Sequence, residues 1–366
     1  MQQWLLPQRP LLPPLPQLNK EILMKTTRIG ILAGLAVGVS LLLSGCERPP
    51  MDVDQIGYRG VGMEQVKNKR TQAELAAANQ APEAFPPADP SGPKARNIYK
   101  NVKVLGDLSE AQFNNIMAAM TLWVAPEQGC AFCHNLENFA DDSLYTKVTA
   151  RKMTEMTLAI NSQWTNHVGN TGVTCYTCHR GNNVPEKRWF SAPDVKVAGR
   201  LLGNDNGQNR AGVEANGNTS LPYDAFTPYL LQDKEIRMAG TTALPTGNRQ
   251  SIKQTEWTHS LMIHMSESLG VNCTHCHNTR AMAEWEQSTP ARLTAWHGIR
   301  MVRDLNNTWV VPLTAIQPAN QLGPTGDISK INCATCHNGV NKPLYGTSML
   351  TSFPELAGKK AVVAKQ

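Results

Sequence analysis

The chain has 366 residues, 41% of them hydrophobic, with 27 glycines, 24 prolines and a formal net charge of +6. Residues 1–45 hold Arg9, Lys20, Lys25 and Arg28 against Glu21, so half of the positive balance lies in a leader-like stretch and the rest is too weak to argue for a nucleic-acid partner. No apolar run beyond Leu43 reaches the length of a membrane span, which excludes a membrane-spanning body.

In chain order, residues 1–23 add nothing a signal needs, and translation is expected to begin at Met24. Met24-Lys25-Thr26-Thr27-Arg28 is a short basic region, and the mostly apolar run Ile29 to Leu43 is too short to favour a spanning helix. Leu43-Ser44-Gly45-Cys46 then reads as a lipobox. Cleavage before Cys46 leaves a thiol for a diacylglycerol, and two acyl chains hold a protein on a bilayer where one binds only reversibly. An uncleaved anchor helix is the rival reading, and the mass of the mature N-terminus separates the two. This places the body on the periplasmic side of a bacterial inner membrane, lipid-anchored. Residues 46–96, rich in Pro, Ala, Gln and Gly, read as an extended arm.

Beyond the arm the chain repeats itself. A breaker-free segment from Phe113 to Trp123 carries Met117 and Met120 at helical spacing and precedes Cys130-Ala-Phe-Cys133-His134. Lys152 to Ile160 carries Met153 and Met156 and precedes Cys175-Tyr-Thr-Cys178-His179. After a Gly/Asn-rich loop at 203–220, Leu261 to Leu269 carries Met262 and Met265 and precedes Cys273-Thr-His275-Cys276-His277. The fourth helix, His297 to Asn306, aligns when Met301 matches the second methionine, bringing Ile160, Leu269 and Leu305 into register, and precedes Cys333-Ala-Thr-Cys336-His337. The halves are therefore 97–202 and 221–350, with a tail at 351–366.

Eight of the nine cysteines thus fall into four Cys-x-x-Cys-His pentads. Two thiols three apart add to the two vinyl groups of a haem, and the adjacent imidazole reaches its iron. Structural zinc would need the pairs to combine two by two, and disulfides would leave the four histidines unexplained. Four covalent c-type haems explain both residue types. The repeat suggests that the first methionine of each pair binds iron and the second packs. Gly298 stands where the fourth helix would need that first methionine, so another residue must cap the fourth haem. His167, between the second helix and second pentad, is one candidate; it could equally be a surface histidine, or bind the second haem while Met301 serves the fourth. His259, His264, His275 and His297 read mostly as bystanders, although His264 and His275 crowd the third site.

These motifs, with Cys46 and the following Gln55-Ile-Gly-Tyr-Arg-Gly-Val-Gly-Met63, closely resemble the tetrahaem cytochrome subunit of purple-bacterial photosynthetic reaction centres over nearly the whole mature chain. The resemblance implies the axial pairs His134 with Met117, His179 with Met153, His277 with Met262 and His337 with His167. It implies a mainly α multihaem cytochrome c of helix–loop–CxxCH units around four haems, with long loops and little sheet. It further implies that the third haem lies nearest a photo-oxidised bacteriochlorophyll pair, with haems 4, 2 and 1 following outward. Electrons would enter near haem 1 from a soluble cytochrome c or high-potential iron–sulfur protein, and the partners would include the membrane-embedded reaction-centre subunits.

Thioether ligands raise a haem potential and a second imidazole lowers it, so three higher-potential haems and one lower are expected, none with an open iron for substrate. An electron carrier follows, against the alternatives of a multihaem reductase or a respiratory shuttle. Eight ionised propionates would turn the remaining positive charge into a balance of about −5. Glu127, Glu137, Asp141 and Asp142 flank the first pentad as a candidate docking patch for a basic donor, unless they are a solvated loop. Arg292 and Arg300 are candidates to neutralise propionates at haem 3 or 4. The composition leaves the apolar core largely to the cofactors.

Overall fold

The computed structural model of the protein describes residues 51–192, 221–222, 224–236 and 252–358; Cys46 with its lipobox, the 203–220 loop and the last eight residues of the tail lie outside these. Strand β1 (Met51–Gln55) pairs antiparallel with β2 (Glu64–Asn68), placing Met51 opposite Asn68. Helix α1 (Lys69–Ala78) follows at once, started by Asn68, whose side chain accepts from the Arg70 amide. The extended arm anticipated for 46–96 is therefore corrected: 51–78 form a hairpin and a helix, and only 80–93 run without either. The cause lies more than 200 residues away. Gln65 donates to the Gly270 carbonyl at 3.3 Å and accepts from the Asn272 amide at 2.9 Å. Thr274 donates to the Glu64 carbonyl at 2.7 Å, and Met63 is fully buried. Composition does not register partners so distant in sequence.

The remainder is helical pieces and turns. After the single turn α2 (Ala95–Ile98) comes α3 (Glu110–Val124), begun by a reciprocal capping box between Ser109 and Gln112 that satisfies two otherwise orphaned amides. Then follow α4 (Tyr145–Gln163), α5 (Thr165–Val168), α6 (Cys175–His179), β3 (Arg188–Trp189), α7 (Ile252–Leu269), α8 (Pro290–Asp304), β4 (Lys330–Ile331) and α9 (Cys333–His337). β3 and β4 pair antiparallel over two residues. The long helices α3, α4 and α7 cover the first three segments expected from the repeat, and α8 covers the fourth as far as Asp304, with Leu305 and Asn306 opening the π-helical turn Leu305–Val310.

Apolar side chains form two clusters, so the core is not left to cofactor alone. One packs Ile116, Ala119 and Trp123 of α3 against Phe353 and Leu356, with the Trp123 and Phe353 rings edge to face at 4.7 Å. The other gathers Met156 and Ile160 of α4, Ile299, Met301 and Val302 of α8, and Leu261, Phe226 and Tyr229. A cavity of about 860 Å³ is lined from both clusters.

Candidate functional site

The second and fourth pentads are built alike, because their flanking residues dictate it. Each is a short helix, α6 or α9, opened by a capping box: Thr174 with Thr177, and Asn332 with Thr335. Each ends on a left-handed residue, Arg180 (φ 50°) or Asn338 (φ 49°), followed by a glycine that also has positive φ, Gly181 (84°) or Gly339 (83°). Two consecutive left-handed residues turn the chain back under the helix. The carbonyl three residues beyond the histidine then meets the imidazole: Asn182 at 3.0 Å from His179 Nδ1, and Val340 at 3.1 Å from His337 Nδ1. Donation from Nδ1–H fixes the tautomer and leaves the Nε2 lone pair for a metal. Desolvation pulls the pKa of His179 down and, with His167 and Arg180 adding, that of His337 to about 4, so both are neutral at pH 7.

The first and third pentads are looser. Gly129–Phe132 and Cys273–His275 are 3₁₀ turns without side-chain caps, and Cys130 and Cys273 are exposed. His277 still places Nδ1 at 3.0 Å from the Met282 carbonyl, and His134 stacks on Phe139 with ring centres 5.0 Å apart. Desolvation raises the thiols of Cys133, Cys175 and Cys276 to about 11 and that of Cys333 to about 12.

His167 faces His337. Two bonds pin α5 and its leading Trp164 to α8: His167 Nδ1 lies 3.0 Å from the Thr294 carbonyl, and Trp164 Nε1 donates to Asp304 at 3.1 Å. A Cβ on Gly298 would stand 2.6 Å from His167 Cε1, so only glycine leaves room for the ring. The His167 and His337 ring centres are 6.0 Å apart. Imidazoles bound on opposite sides of one metal, each nitrogen about 2.0–2.1 Å from it, have centres roughly 6 Å apart. Met301, the rival ligand, is buried in the larger cluster.

Met117 with His134, and Met153 with His179, line the 860 Å³ cavity together with Cys130, Cys133, Cys175 and Cys178. In both methionine helices a threonine hydroxyl four residues on, Thr121 or Thr157, donates back to the methionine carbonyl at 2.9 Å. Met262 packs at the edge of the larger cluster, outside that cavity. His264 turns into the core, 2% exposed, against Phe226 and Ser268. Arg292 lies by the third pentad with its guanidinium 4.1 Å from the Trp285 ring centre, and Arg300 stacks on Trp296. The acidic quartet divides. Glu127 and Glu137 are exposed, whereas Asp142 is bound by Arg151 at 2.8 Å, Lys103 at 2.9 Å and Lys147 at 3.2 Å. Asp141 caps Ser143. Asp142 therefore offers little free charge to a partner.

Sequence reasoning missed the capping residues Thr174, Thr177, Asn332 and Thr335, as well as Arg180. The signal was present: both pentads read Thr/Asn-Cys-x-Thr-Cys-His and are followed by x-Gly.

Cys178 and Cys336, the second cysteines of α6 and α9, are joined as a disulfide, with Cα atoms 4.6 Å apart. A disulfide and a thioether are exclusive uses of one sulfur. The pairing leaves Cys175 and Cys333 without partners and gives the adjacent histidines no role. Thiols three apart, neutral imidazoles with a free Nε2, an opposed His167 and a cavity with a mainly apolar lining suit a c-type haem as the donor set.

The family model for the photosynthetic reaction centre cytochrome c subunit matches residues 47–357. The chain is 54% identical over 331 residues to the photosynthetic reaction center cytochrome c subunit of Rubrivivax gelatinosus, covering 90% of each chain. It is 50% identical to that of Thermochromatium tepidum, over 89% of this chain and 80% of the relative. It is 40% identical to that of Roseobacter denitrificans, over 92% and 93%. Among the described residues no helix is long and apolar enough to cross a membrane. The chain belongs to the photosynthetic reaction centre cytochrome c subunit family, whose members are electron carriers and not enzymes.

Proposed function

We propose that the chain carries four covalent c-type haems, on Cys130/Cys133, Cys175/Cys178, Cys273/Cys276 and Cys333/Cys336, and relays single electrons to the photo-oxidised bacteriochlorophyll pair of a reaction centre. The axial pairs are His134 with Met117, His179 with Met153, His277 with Met262, and His337 with His167. The haems supply the redox chemistry. The protein supplies neutral imidazoles oriented through Nδ1, thioether ligands on helices, and exclusion of water from the irons. With every iron six-coordinate, an electron is all that each can accept. The His167–Gly298–His337 arrangement carries this reading, because it fills the one axial position that the methionine helices leave open.

The abutting α6 and α9 support the order 3, 4, 2, 1 outward from the pair, since haems 2 and 4 must be neighbours in it. A diacylglycerol on Cys46 would hold the protein on the periplasmic face of the photosynthetic membrane, docked on the membrane-embedded subunits. A soluble cytochrome c or high-potential iron–sulfur protein would deliver electrons near haem 1, guided by Glu127 and Glu137. Neutralising those two is expected to lower the donor's on-rate severalfold at low salt and flatten its salt dependence; no change sinks the docking role.

Flash excitation of membranes should oxidise haem within the light-driven turnover, and the ferrous protein should not bind carbon monoxide. Haem that stays reduced after the flash, or one iron that takes carbon monoxide, overturns the reading.

A further inference from the structure

Arg180 occupies a costly position. A left-handed backbone at φ 50° suits glycine or asparagine, and the equivalent residue of the fourth unit is Asn338. The arginine side chain lies where three parts of the chain meet. One terminal nitrogen donates to the Ala78 carbonyl at 2.7 Å, at the end of α1, and the other to the Cys336 carbonyl at 3.0 Å, within the fourth pentad. Its Nε is buried without a hydrogen-bond partner, and among the described residues it forms no ion pair. A partly desolvated cation without a carboxylate is expensive to keep, and two neutral carbonyls do not need a full charge to hold them.

Ferric haem carries one positive charge more than ferrous haem, so a fixed cation nearby favours the reduced state. We propose that Arg180 is a positioning residue shared by the second and fourth haems: it ties their attachment helices to each other and to the arm, and its unpaired charge raises both reduction potentials together. This rests on the assignment of haems to these two pentads. It differs from a propionate counter-ion, because the guanidinium sits beside the attachment helices and histidines.

The test uses the full chain in its membranes, with redox titration resolving the four haems in Arg180→Asn and Arg180→Lys. Asparagine copies position 338 and fits the left-handed backbone, so the variant keeps its fold. Its haems 2 and 4 are expected to become at least tenfold harder to reduce, about 59 mV each, with haems 1 and 3 shifting less than threefold. Lysine keeps the charge, cannot reach both carbonyls, and is expected to restore most of the potential while loosening the arm to proteolysis. Unchanged potentials in the asparagine variant, an equal shift of all four haems, or a lysine variant no better than asparagine overturns the proposal. Failure of the underlying assignment shows separately, as wild-type peptides spanning Cys175–His179 and Cys333–His337 that carry no haem mass.

Discussion

In the proposed relay order the second and fourth pentads are the inner pair and the first and third the outer pair, and the two pairs share two cysteines, a histidine and little else. The inner two write their own geometry: a side-chain cap before the first cysteine, helical pentads, a left-handed pair of residues and a carbonyl returned to the histidine. The outer two are uncapped turns, the first packed on the segment that follows it, through Phe139 and the Lys147–Asp142 cluster, and the third on the distant β1–β2 hairpin. The same Cys-x-x-Cys-His pattern is therefore shaped by its own flanking caps in the second and fourth units, by the following segment in the first, and by a remote hairpin in the third.

The largest test of that contrast is removal of the cofactor. Protein made without haem attachment is expected to lose cooperative melting altogether, because the cavity side of both apolar clusters is then left unfilled. Circular dichroism on heating checks this, and inner helices that persist would show their local signals to be sufficient alone. Next comes Gly298→Val. A side chain there collides with His167, so haem 4 alone should lose its second imidazole, gain carbon monoxide binding and rise in potential, while the outer haems keep their spectra.

Asp142→Asn probes the outer end and should cost roughly 2 kcal/mol, because Lys147 is left nearly buried without its carboxylate. Arg151, Lys103 and Asn101 hold the Asp142 carboxyl well below the usual carboxylate range. Its folded pKa is below its unfolded one, so the stabilisation is present above about pH 4 and is lost as pH falls through the lowered value. The gap between thermal melts of wild type and variant should be smaller at pH 3 than at pH 7 and should shrink further below pH 3; a constant gap would refute this account. The smallest effect separates the pairs most directly: Asn332→Ala, which removes an inner cap, should cost about 1 kcal/mol, and Gln128→Ala, at the uncapped first pentad, less than about 0.5 kcal/mol by chemical denaturation.

What could be read from the chain follows the same division. The pentads, the methionine helices and the Gly298 gap are periodic or local, and the structure places helices over all four segments and His167 against Gly298. The docked arm was not legible, since Gln65 is an ordinary polar residue until Gly270 and Asn272 are beside it. Nor was the fate of Asp142, whose three cations come from Lys103, Lys147 and Arg151. Charges near each other in sequence suggested a patch; charges near each other in space removed one member.

The thiols of the inner pentads imply an order of biogenesis. Burial pushes the Cys333 thiol up to about 12, so the folded chain keeps it protonated at neutral pH, and the thiolate is the nucleophile. On the proposed attachment of haem to these cysteines, the bonds to the porphyrin are expected to form on the still open polypeptide, before collapse removes the sulfurs from reach.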